Sequence, residues 1–145
     1  MDAPLVYIAG PLFDEGERWF VERLDSFVAE AGARTFLPHR DNVSKTAENT
    51  GTIYRNNVAA IDRCDLVVAN LNGVTTDDGT AWEIGYAVAS GTPVVGVHTD
   101  WRRRFDHEVV NLMIQESVVL VARSVEEAAD AVRRFVATGS AARPD

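Results

Sequence analysis

The stretch TTDDGTAWEIGYAVASG, residues 75–91, gathers three carboxylates, Asp77, Asp78 and Glu83, around a glycine at the entrance to a helical pattern. Two carboxylates in one pocket can divide into a nucleophile and an acid, as in retaining glycoside hydrolysis. A purely structural account competes with this. Thr80 and Glu83 fit a capping box, in which the hydroxyl and the carboxylate each satisfy a backbone N–H, and turn chemistry explains Gly79 and one aspartate. The second aspartate is left over. Tyr7 lies in an apolar run just before Gly10-Pro11, so its hydroxyl either reaches an edge of the core or orients an acid in a pocket.

Other candidates are weaker. His39, His98 and His107 lack the spacing of metal ligands, so no metal site is expected, and one cysteine, Cys64, excludes an internal disulfide and a cysteine-cluster site. Arg102, Arg103 and Arg104 could grip a phosphate but more often mean a solvated loop. AGPLFDEG lacks the Gly-Lys-Ser/Thr ending of a phosphate loop, and no GxGxxG follows the first strand. Nicotinamide and nucleoside-triphosphate cofactors are therefore disfavoured.

The elements that must position these residues alternate. LVYIA, ending at Ala9, RTFLP (34–38), DLVVANL (65–71), PVVGVHT (93–99) and SVVLVA (117–122) read as strands. Residues 15–31, 52–64, 80–90 and 125–137 read as helices, with a short one around VVNLMIQE. The first helix takes its apolar face from Trp19, Phe20, Leu24, Phe27, Val28 and Ala31. Residues 39–51 read as a polar loop. Apolar strands alternating with helices predict an α/β fold: a flavodoxin-like, doubly wound, five-stranded parallel sheet in the order 2-1-3-4-5, helices on both faces. In such a sheet the ligand sits beyond the carboxyl ends of the strands at the switch point between strands one and three. Gly10, Pro11 and Phe13 emerge there, and so does the loop that feeds Glu83.

At 145 residues the chain predicts a single domain, 1–145, with residues 138–145 as a loose tail. A net charge of −8, from 14 Lys+Arg against 22 Asp+Glu, argues against a nucleic-acid duplex as partner while allowing a small neutral nucleoside. No apolar run reaches the length of a membrane span, and MDAPLVYIAG has no basic leader region, so a cytoplasmic protein without a membrane partner is expected.

The blocks VYIAGPLF, NNVAAIDRCDLVVANLNG, DDGTAWEIGYAVASG and VNLM, in this order, resemble the nucleoside 2-deoxyribosyltransferase family between about residue 5 and residue 122. The resemblance implies transfer of 2-deoxyribose between nucleobases without any cofactor. Glu83 would be the nucleophile that attacks C1′ and forms a covalent deoxyribosyl-enzyme, and Tyr7 would hold its carboxylate. Asp78, or its neighbour Asp77, would hold the sugar hydroxyls or assist proton movement, and Gly10, Pro11, Phe13 and Gly79 would line the substrate site. Asn111 would bind the sugar 5′-hydroxyl of a neighbouring subunit's substrate, which implies a homo-oligomer. Asn57 stands where several relatives carry an aspartate for proton transfer to the base, and an amide cannot act as that acid.

Related N-glycosidases of deoxynucleoside 5′-monophosphates use a Ser and Arg cluster after the first strand. GPLFDEGER lacks it, which favours a free nucleoside. The cytokinin-activating phosphoribohydrolases carry a Pro-Gly-Gly that is absent here. The alternatives are hydrolysis of the N-glycosidic bond and, in another class, a nucleotide-binding module without turnover.

Overall fold

The computed structural model describes residues 2–144. The strands β1 (Leu5–Ala9), β2 (Arg34–Phe36), β3 (Leu66–Asn70), β4 (Val94–Val97) and β5 (Leu120–Ala122) form one all-parallel sheet in the order β2-β1-β3-β4-β5. The helices are α1 (Glu15–Glu30), α2 (Pro38–Asp41), α3 (Thr50–Arg63), α4 (Asp78–Ala89), α5 (Leu112–Gln115) and α6 (Val125–Thr138). This is the doubly wound topology expected from the alternating pattern, with its switch point between β1 and β3.

The period of two along each strand sorts the core into two layers. Val6, Ile8, Val68 and Val95 point to one face, where Leu24 and Val28 of α1 and Ala128 and Val132 of α6 cover them. Tyr7, Ala9, Val67 and Ala69 point to the other, beneath Ile61 of α3 and Ile84 and Ala87 of α4. Every residue of β3 is buried, as a central strand covered on both faces requires.

Several boundaries differ from the sequence expectation, for local reasons. RTFLP ends as a strand at Phe36, because Pro38 is the first residue of α2, a position where its missing N–H costs nothing. Residues 38–41 are therefore helical rather than part of a continuous loop. SVVLVA pairs only over its last half, Leu120–Ala122. On α1 the apolar face rotates: Val21, Leu24 and Val28 are buried, whereas Trp19 is 62% exposed, with the Arg23 guanidinium 5.9 Å from its ring centre.

The chain end that was expected to hang loose is tied back. Gly139 takes the left-handed conformation that ends α6. Ala141 is buried, Arg134 donates to the Ala141 and Ala142 carbonyls, and Arg143 pairs with Glu127. Met1 and Asp145 lie outside the described residues. Among the described residues no helix is long and apolar enough to cross a membrane.

Candidate active site

Two loops at the switch point are held by their own side chains. After β1, the turn from Gly10 to Phe13 is locked onto α1 by a capping box. Asp14 Oδ1 accepts from the Glu17 N–H at 2.8 Å, and Glu17 Oε2 accepts from the N–H groups of Phe13 and Asp14. Gly10 is required there by close packing: a Cβ would stand 2.6 Å from Val21 Cγ1 and 3.1 Å from Asn70 Cβ. After β3, Asn72 ties the second loop to the end of β4. Its Oδ1 accepts from the Thr99 N–H at 2.8 Å, and its Nδ2 donates to Thr99 Oγ1 at 2.8 Å.

The helix entrance differs from the capping box expected at Thr80 and Glu83. α4 begins at Asp78, and its N-cap is Asp77, whose Oδ2 accepts from both the backbone N–H and the hydroxyl of Thr80 at 2.9 Å. Thr80 is buried and serves this bond, so Glu83 lies well inside the helix and caps nothing. Its carboxylate accepts instead from the hydroxyl of Tyr7, a residue 76 positions away in sequence. Tyr7 is fully buried, and its ring is stacked on Phe36 at 5.5 Å between centres. A fixed ring carries a fixed hydroxyl, and so the Glu83 carboxylate has one orientation.

The electrostatics put the Glu83 carboxyl between its protonated and ionised forms near neutral pH. Burial pushes the Glu83 carboxyl up from the ordinary 4.5 to about 7; the Tyr7 hydrogen bond opposes that rise and the nearby Asp77 charge reinforces it. Burial and the Glu83 charge also raise the Tyr7 phenol, so it stays protonated and acts only as a donor. Carboxyl groups tuned upward in a cleft are a feature of functional sites.

Glu83 opens onto a cavity of about 670 Å³, large enough for a nucleoside-sized ligand. Gly10, Pro11, Phe13, Asn57, Asp77 and Gly79, all candidates from the sequence, line it. Asp78 and Asn111 do not. They border a second cavity of about 650 Å³ on the other side of α4, together with Arg102, Arg103 and Arg104. The helical phase thus separates the adjacent aspartates, sending Asp77 to the Glu83 side and Asp78 away. Asn111 is the N-cap of α5, accepting from the Met113 N–H at 2.9 Å.

Several lining residues had no signal of their own in the sequence. Trp82, beside Glu83, forms part of the wall with Tyr54, the two rings meeting edge to face at 5.7 Å, and Tyr86 stacks behind Trp82 at 5.3 Å. Their helical spacing, 82 and 86, was visible, but an aromatic pair at that spacing reads equally well as core. Asn42 and Lys45 come from the segment that reads as a polar loop, and His39, whose spacing does not suit a metal, lines the same cavity. No group of three or more His, Cys, Asp or Glu side chains among the described residues is placed to hold a metal ion.

A doubly wound parallel sheet with a part-buried tyrosine–glutamate pair at its switch point defines an α/β protein with a carboxylate facing a small-ligand-sized cavity. The nucleoside 2-deoxyribosyltransferase family model matches residues 6–115, and the chain belongs to that family. No curated protein matches it. Among solved structures, a conserved protein from Enterococcus faecalis is 24% identical, covering 91% of this chain and 98% of its own, with a TM-score of 0.80. The 2-deoxyribosyltransferase from Bacillus psychrosaccharolyticus is 21% identical over 87% and 90%, at 0.75. These two share the fold. The 2-deoxyribosyltransferase from Leishmania mexicana is 26% identical over 93% and 98%, at 0.70.

Proposed function

We propose that this protein transfers 2-deoxyribose from one nucleobase to another through a covalent intermediate on Glu83. The observation that carries the reading is Glu83, held by the Tyr7 hydroxyl and lining the cavity of about 670 Å³. An ionised Glu83 attacks C1′ of the bound deoxynucleoside, the C1′–N bond breaks, and its electron pair leaves with the base. The second base then attacks the same carbon and releases the carboxylate, so two inversions give net retention. A sugar without a 2′-hydroxyl reaches the cationic transition state more readily and leaves room beside the carboxylate. Asp77, the cap of α4 on the cavity side, is positioned to meet the sugar hydroxyls, while Asp78 faces elsewhere.

A base-exchange assay tests this. Deoxyinosine mixed with adenine or cytosine is expected to yield the corresponding new deoxynucleoside, and adenosine in place of deoxyadenosine should react poorly. Free base and deoxyribose without exchange would assign hydrolysis instead. No reaction with any nucleoside or monophosphate would leave a binding module.

Asn111, in the second cavity, would complete a neighbour's site in a homo-oligomer. Mixing inactive Glu83→Gln and Asn111→Ala chains should then restore part of the activity, because some sites combine an intact Glu83 with an intact Asn111. Full activity in a monomer by light scattering would remove this role.

A further inference from the structure

Asp77 reaches the Glu83 cavity at the end of a segment that has no backbone ladder of its own. The Leu71 N–H still bonds to the Val97 carbonyl at 2.8 Å, and the Ala81 N–H bonds to the Asp77 carbonyl at 2.8 Å. Between them, among the described residues, no N–H or C=O of residues 72–76 pairs with another backbone group. The segment is held instead by a reciprocal clamp on the two residues beyond His98. Asn72 Oδ1 accepts from the N–H groups of Thr99 at 2.8 Å and Asp100 at 3.2 Å. A backbone N–H can only donate, so this end of the amide is its oxygen, and Nδ2 at the other end donates to Thr99 Oγ1 at 2.8 Å. Asp100 Oδ2 answers by accepting from the Gly73 N–H at 3.2 Å, and the same carboxylate pairs with Arg102. Gly73 then turns the chain away at φ 122°, a conformation that suits only glycine.

From this we infer that Asn72 and Asp100 are positioning residues of the site, whose clamp holds Asp77 in place beside Glu83. The inference rests on the deoxyribosyl-transfer reading of the cavity for its kinetic consequence, but not for its structural one. The cap bonds from Thr80 tie Asp77 to α4 alone. A helix end frays once the chain that leads into it is untied, so a released segment lets Asp77 swing away from the cavity. Two properties depend on its staying. Burial chiefly raises the Glu83 carboxyl, the Tyr7 hydrogen bond opposes the rise, and the Asp77 charge adds to it. Asp77 is also the group offered to the sugar hydroxyls. The other titratable groups at Glu83 are Tyr7 on β1 and, along the cavity wall, His39 and Lys45, and the clamp touches none of them.

Carbon-13 NMR of the Glu83 carboxyl in the substrate-free protein reads this without turnover. In wild type it should titrate at about 7. Asn72→Ala and Asp100→Ala should both move the midpoint to lower pH, the direction expected of Asp77→Asn. Asp100→Asn keeps an oxygen for the Gly73 N–H and should titrate like wild type, which separates the clamp from the mere loss of a charge. Adding Asn72→Ala to Asp77→Asn should bring no further shift. A clamp that only supports the fold would lower the melting temperature and leave the midpoint in place, and that result in both alanine variants overturns the inference. A shift of undiminished size on the Asp77→Asn background overturns it too, because water entering the cavity would then be the cause. Should Asn72→Ala fail to fold, the two Asp100 variants carry the same test. In the exchange assay the alanine variants should raise KM for the deoxynucleoside about tenfold at nearly constant kcat, the scale of one hydrogen bond to a charged group. A KM fixed in both alanine variants counts against the clamp as a fixed midpoint does. The expected midpoint shifts in a protein that exchanges no base would overturn the transfer reading and leave the clamp standing.

Discussion

Glu83→Gln is expected to lower deoxyribosyl transfer by roughly 10⁴-fold or more, the scale seen when one member of a covalent catalytic unit is removed. A neutral amide cannot attack C1′. The protein should nevertheless fold. Glutamine keeps an oxygen to accept from Tyr7, and Glu83 caps no helix, so no cap is lost. Stability should even favour the variant at alkaline pH. The Glu83 carboxyl is raised to about 7 in the folded protein against 4.5 when free, so its contribution is full below 4.5 and is lost as pH rises through 7. A neutral amide suffers no such loss, and at pH 8 the variant should melt no lower than wild type. Mass spectrometry of acid-quenched wild type with a deoxynucleoside should show a deoxyribosyl group on the peptide carrying Glu83, absent from the variant. Near wild-type exchange by a folded Glu83→Gln protein would remove Glu83 from the chemistry.

The parts of this architecture that could be read from sequence are those that burial dictates. The runs LVYIA and DLVVANL had to be interior strands because nearly every residue in them is apolar, and alternation with helices pointed to a parallel sheet covered on both faces. The edge elements were over-read. Pro38 and Ser117 sit beside apolar residues that look like strand but serve a helix start and a loop, and only the sheet's register separates these.

The entrance to α4 shows the same limit. Asp77 and Thr80 are both good cap residues, and Gly79 imitates a turn, so the choice depends on Thr80 being buried, a tertiary fact. A start three residues earlier fixes the helical phase, and that phase sends Asp77, not Asp78, to the Glu83 cavity. The Tyr7–Glu83 pairing spans 76 positions and had no local signature. It was foreseeable only because the switch point of the sheet and the family resemblance pointed to the same residues. The Asn72–Thr99 contact had neither aid, since it joins two segments 27 positions apart whose composition says only that they are polar.

Tyr7→Phe and Asp77→Asn should move the acid limb of the pH–rate profile in opposite directions. Transfer requires ionised Glu83, so kcat/KM in wild type should rise with pH through about 7 and then level. The Tyr7 hydroxyl stabilises the charged carboxylate. Phenylalanine retains the stack on Phe36 but withdraws that hydrogen bond, so the limb should shift to higher pH. The freed carboxylate also loses its fixed aim at C1′, and kcat/KM on the plateau should fall about 10²-fold, the cost of a small misplacement. Asp77 acts the other way, because its negative charge disfavours ionisation of Glu83. Asparagine keeps an oxygen for the Thr80 N–H and hydroxyl, so α4 remains capped while the charge goes, and the limb should shift to lower pH. Any general loss of packing would move both limbs the same way, and a limb fixed in both variants would mean that some group other than Glu83 titrates. Opposite shifts identify the limb as the Glu83 carboxylate, held between a donor that favours its charge and a neighbour that opposes it.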